Sequence, residues 1–136
     1  MSTPVTIGFD IGGTNMRAGA ITEAGNIIDS TATEAPHDAD ELQEGIVRIV
    51  NKFRADHCIG AVGLAIAGFL DPDCEIVRFA PHLPWRDRHA RAELQAALGV
   101  PVRLEHDANA AAWGEYKFGG AQGHDNWVLF ALGTGI

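Results

Sequence analysis

Hydrophobic and polar positions along the chain fall into two alternating patterns. Val5–Ile11 (VTIGFDI) is a short apolar run and reads as a buried strand. Gly12-Gly13-Thr14-Asn15 supplies a turn, and Met16–Ile21 reads as the returning strand. Glu23-Ala24-Gly25-Asn26 is a second tight turn before a third strand, Ile27–Thr33. Glycine pairs and Gly-Asn between apolar runs mark hairpins. The period then changes. Across Asp38–Arg54, Leu42, Ile46, Ile49, Val50 and Phe53 recur at helical spacing behind an acidic first turn. Ala61–Ala67 (AVGLAIA) is uniformly apolar, as in a strand of a parallel sheet. Gly68–Glu75 reads as a loop, Ile76–Phe79 as a short strand, and Ala80–Arg86 as a loop rich in Pro, His and Trp. Arg88–Leu98 is helical and stops at Gly99. Val102–Glu105 is a strand that delivers Asp107 to a helix ending near Phe118. After a loop at Gly119–Asn126, Trp127–Leu132 is expected to form a last strand entering Gly133-Thr134-Gly135.

Three meandering strands followed by alternating helices and strands predict an α/β domain, with a mixed sheet flanked by helices. The order is not that of a Rossmann unit, because the first glycine turn leads back into a strand and not into a helix. Phe130–Ile136 (FALGTGI) opens like Phe9–Arg17 (FDIGGTNMR) and then stops. A strand entering such a turn needs a returning partner, so the echo predicts a chain that ends within a domain. The alternative is coincidence, since Gly-Thr-Gly is a common turn.

Composition narrows the class. With 136 residues, 46% of them hydrophobic and 21% charged, the chain can bury one real core. It has no apolar run of bilayer length, and its first residues lack a signal-peptide pattern. Cys58 and Cys74 have no zinc-site spacing and read as free thiols in a reducing cytosol. A net charge of −8 disfavours nucleic acid as a partner. A phosphate site needs only local amides and one or two cations.

Four segments can carry chemistry. In Asp10-Ile11-Gly12-Gly13-Thr14-Asn15-Met16-Arg17, the glycines allow close approach of backbone N–H groups to an anion. Thr14, Asn15 and Arg17 add donors. Asp10 can hold Mg²⁺, which prefers few carboxylates and many waters. A plain hairpin explains the same residues. In Glu105-His106-Asp107-Ala108-Asn109, Asp107 is either a helix N-cap or a general base aimed at a substrate hydroxyl, and the two roles compete for the same oxygens. Ala80–Arg86 offers His82 and Trp85 to a sugar, or is simply a packed surface loop. Leu132-Gly133-Thr134-Gly135 is a possible second phosphate loop.

The order of these segments is more specific than any one of them. DIGGTN near the start, AIAG ending at Gly68, a strand-to-helix Asp107 and a terminal LGTG resemble the ROK family of sugar kinases, in the actin-like ATPase superfamily with its ribonuclease-H-like lobes. The stretch from APHLPWR to EHDANAAAWGEYKFGGAQG looks closest to the glucokinases of actinobacterial type. The resemblance implies an N-terminal lobe over residues 1–126 and the start of a second lobe at 127–136. It implies ATP and Mg²⁺ on a first loop of Asp10, Gly12, Gly13, Thr14, Asn15 and Arg17, with Thr134 and Gly135 in a second loop. Gly68, His82, His106 and Asp107 would line the sugar site, and Asp107 would be the base toward the 6-hydroxyl of glucose. Many family members carry Asn where this chain has His82 and His106, so the sugar contacts differ here. A structural zinc site, the adenine pocket and most of a homodimer interface would lie past Ile136, and the fragment alone would be inactive. The rival readings are a polyphosphate-dependent or other hexose kinase, and a non-catalytic sugar-responsive regulator. The regulator would need a DNA-binding module ahead of Val5.

Overall fold

The computed structural model describes residues 3–132. In chain order its elements are β1 (Val5–Ile11), β2 (Asn15–Ile21), β3 (Ile27–Glu34), α1 (Ala39–Arg54), β4 (Ile59–Ile66), β5 (Phe69–Leu70), β6 (Val77–Phe79), β7 (Arg86–Arg88), α2 (Ala90–Leu98), β8 (Val102–His106) and α3 (Asp107–Phe118). Strands β1 to β3 form the expected antiparallel meander. On its other side β1 runs parallel to β4, and β4 runs parallel to β8. The result is a mixed sheet in the order β3-β2-β1-β4-β8.

Period-two alternation gives this sheet two different faces. Val5, Ile7, Phe9 and Ile11 of β1, Met16, Ala18 and Ala20 of β2, and Val62, Leu64 and Ile66 of β4 are buried on one face. There they form one continuous core with Leu42, Ile46, Ile49, Val50 and Phe53 of α1 and Ala90, Leu94 and Leu98 of α2. α1 starts where expected: the Asp38 carboxylate accepts the Asp40 and Glu41 amides at 3.0 and 3.1 Å. α2 stops at Gly99, whose φ of 71° is left-handed. The other face carries Gly19, Gly8 and Gly63 in one cross-strand row. α3 leaves β8 on that side, and its last residue, Phe118, packs against Gly25 in the β2–β3 turn.

Three expectations change. The run from Gly68 to Arg88 is not loop, strand and loop but a second sheet in the order β5-β6-β7. Strands of two and three residues have too little pattern to be legible, and they exist because each supplies the other's hydrogen bonds. The second helix therefore starts at Ala90 and not at Arg88. The strand expected over Trp127–Leu132 does not form. Among the described residues nothing pairs with it, and Val128, Phe130 and Leu132 are 75%, 82% and 76% exposed. An apolar run becomes a strand only when a neighbour takes its backbone groups.

Trp85 also departs from the sugar-facing reading. Its side chain is 1% exposed, inside the core, and its indole N–H donates to the Ala39 carbonyl at 3.1 Å. It anchors the Pro-rich loop to the start of α1. Cys58 and Cys74 are free thiols.

Candidate functional site

Parallel strands end at the same edge, and the loops leaving that edge share one region. Asp10, Ala65 and Glu105 form one cross-strand row, and Ile11, Ile66 and His106 form the next. The Gly-rich turn, Gly68 and Asp107 all begin one or two residues beyond these rows. Asp10 and Glu105 lie two strands apart, about 10 Å, and project to the same face. Arg17 is the cross-strand partner of Asp10, so a cation and a carboxylate stand side by side, both exposed.

The turn is tight. The Gly12 amide donates to the Asn15 carbonyl at 3.0 Å, leaving Gly13 and Thr14 at the corner. Gly12's N–H is therefore committed to the hairpin. Among the described residues the Gly13 and Thr14 amides have no hydrogen-bond partner. Neither Gly12 nor Gly13 has positive φ, so backbone freedom does not explain them. Close approach explains Gly13: a β-carbon there would collide with the β-carbon of His82 and lie 3.1 Å from the His82 carbonyl. The phosphate-loop candidate and the exposed His82 are thus pressed together, although about 70 residues separate them.

Gly68 sits under the same constraint. A β-carbon there would stand 2.8 Å from the Phe79 carbonyl and 2.9 Å from the Ala80 β-carbon. Backbone cannot give way as a flexible side-chain end can. Gly68→Ala is therefore expected to destabilise the protein by about 1–3 kcal/mol, read from urea unfolding, as overpacking does. An unchanged midpoint would show that β5 and β6 separate freely.

At the β8–α3 corner the helix cap is His106 and not Asp107. Asp107 is the first helical residue, and its Oδ1 accepts the Ala108 amide at 2.8 Å. Among the described residues its Oδ2 has no hydrogen-bond partner. The carboxylate is thus divided: one oxygen is engaged at the helix start, and the other has no partner among the described residues. His106 and Asp107 side chains are 44% and 43% exposed. Two residues not singled out from sequence support the corner. Glu105 accepts the His106 amide at 2.9 Å and the Asn109 side-chain amide at 3.3 Å. Their alternation within a strand and helix start gave no separate signal.

Thr134 and Gly135 lie outside the described residues. Among those described, no group of three or more His, Cys, Asp or Glu side chains forms a metal cage.

The family model described as "ROK family" matches residues 6–136. Glucokinase of Streptomyces coelicolor is 43% identical over 132 residues, covering 97% of this chain and 42% of that protein. The xylose repressor of Bacillus spizizenii is 30% identical over 138 residues, covering 96% of this chain and 35% of its own length. Among solved structures, a ROK family glucokinase from Streptomyces griseus in complex with glucose and AMPPNP superposes with a TM-score of 0.84 at 41% identity. That match covers 89% of this chain and 39% of the other. The chain thus spans less than half the length of these relatives.

Proposed function

The chain belongs to the ROK family and has the mixed α/β fold of its actin-like sugar kinases, and on that footing we propose that it contributes the N-terminal lobe of a hexose kinase transferring the γ-phosphoryl group of ATP to the 6-hydroxyl of glucose. The lobe would comprise residues 1–126, with 127–136 leading into a second lobe. One observation carries the reading most: Asp107 has one oxygen tied to α3 and one unpartnered, at the strand edge where the Gly13 turn and His82 meet. A similar S. griseus glucokinase holding glucose and AMPPNP supports the choice of substrates.

In this mechanism the sugar 6-hydroxyl donates to Asp107 Oδ2. The oxygen attacks the γ-phosphorus, the bond to the bridging oxygen of ADP breaks, and the hydroxyl proton passes to Asp107. Charge growing on the transferred group is met by the Gly13 and Thr14 amides and by Arg17. Thr14 and Asn15 hold the phosphates, with Thr134 and Gly135 in the second loop. Gly68, His82 and His106 border the sugar. The donor set fits Mg²⁺: Asp10 is a single exposed carboxylate, which suits an ion that keeps most of its waters. When bound, Mg²⁺ would neutralise phosphate charge. The product is glucose 6-phosphate, and the active form would be a cytoplasmic homodimer.

The similarity to a xylose repressor keeps a sugar-responsive regulator as the second reading. The deciding assay is ADP release by the full-length gene product with glucose, mannose, fructose and N-acetylglucosamine, with ATP set against polyphosphate as donor. Glucose with ATP is expected to give the highest kcat/KM. Sugar binding without turnover by any donor would leave the regulator reading in its place.

A further inference from the structure

The corner that holds Asp107 also holds a titratable ring in an unusual position. His106 Nδ1 lies 3.3 Å from the Ala108 amide and 3.3 Å from Asp107 Oδ1. The same amide lies 2.8 Å from Oδ1. One N–H therefore serves two acceptors, and two lone-pair atoms face one another at near contact. A proton on Nδ1 changes the arrangement. Without it, Nδ1 accepts the amide as a helix cap, and Asp107 is an unpaired carboxylate. With it, Nδ1 can no longer accept. It donates to Oδ1 instead, and the carboxylate becomes one half of an ion pair. Histidine is in general the side chain that can gain or lose a ring proton near neutral pH.

The other charged groups nearby come from several elements. β8 contributes Glu105, bonded to the His106 amide, and Arg103. β4 and β1 place Ile66 and Ile11 in the His106 row, neither of them titratable, with Asp10 in the Glu105 row. The loop after β5 brings Asp71 and Asp73, whose charges join those of Glu105 and Arg103 in acting on Cys74. α3 contributes Asp107. Among the described residues it is the acid within hydrogen-bond reach of the His106 ring.

We infer that His106 is a positioning residue whose Nδ1 proton switches Asp107 between a free base and a paired one, so that catalysis falls as pH drops. The inference rests on the kinase reading above. Its test is kcat for glucose phosphorylation by the full-length protein between pH 5.5 and 8.5, in wild type and in His106→Asn. Asn is among the best N-caps and its carbonyl can take the Ala108 amide, but it cannot be protonated in this range. His106→Ser serves as a second cap without a ring. The ratio of kcat at pH 8 to kcat at pH 6 is expected to be at least about threefold smaller in both variants than in wild type. KM for ATP should not follow pH in the same way. Superposed acid limbs in wild type and variants overturn this inference alone. Absence of wild-type turnover at every pH overturns the kinase reading and the inference together.

Discussion

Asp107→Asn is expected to lower kcat for glucose phosphorylation by about 10²–10⁴-fold, the range for losing a positioned general base. The substitution is close to isosteric. Asn keeps a carbonyl oxygen for the Ala108 amide, which the native Oδ1 accepts at 2.8 Å, so the first turn of α3 should survive. The change falls on the other atom. Oδ2 has no partner among the described residues, and replacing it with an amide NH₂ turns a proton acceptor into a donor. Far-UV circular dichroism and the unfolding midpoint should match wild type, while single-turnover kinetics should show the loss in the chemical step. A variant within about tenfold of wild type would reduce Asp107 to a helix-start residue. The lobe would then belong with the family's binding or regulatory proteins.

Trp85→Ala is expected to cost about 3–5 kcal/mol of stability, at the upper end of core truncations. The side chain is 1% exposed and is the largest in the fully buried core. Its loss leaves a cavity and removes the indole's hydrogen bond to the Ala39 carbonyl at the start of α1. Single domains are stable by about 5–15 kcal/mol, so most of the margin is at stake. Trp85→Phe should retain much of the buried area and lose chiefly the hydrogen bond, costing about 1 kcal/mol beyond the volume change. Urea unfolding followed by circular dichroism separates the two. The site should feel the same substitution, because Trp85 holds the loop that sets His82 against Gly13. If Trp85→Ala unfolds at the wild-type midpoint, the indole is not the loop's anchor.

Much of the frame was legible in local pattern. The two hairpin turns, the buried stripe of α1 from Leu42 to Phe53, the helix stop at Gly99, and the parallel placement of β4 all follow from spacing and turn chemistry. So did the placing of Asp107 at a strand-to-helix junction, since a short apolar run followed by Asp and an Ala-rich stretch has few other readings. These features depend on residues within a few positions of one another, where steric and hydrogen-bonding preferences act directly.

Other features depended on partners far along the chain. Trp85 reads alike as a sugar platform or a core residue until Ala39 is seen beneath its indole. Gly13 reads as a flexible turn glycine, yet its φ is ordinary and its reason is His82. Trp127–Leu132 has the composition of a strand and forms none, because strand structure is a property of a pair. The division of Asp107's oxygens and the capping by His106 are contacts within two residues, but they rest on side-chain rotamers that residue order does not fix. The sequence alone determined most of the longer elements and the ROK resemblance, because short-range preferences and motif order are written in it. Tertiary structure decided which atoms were left free to act, because an atom's freedom depends on every neighbour that packing brings to it.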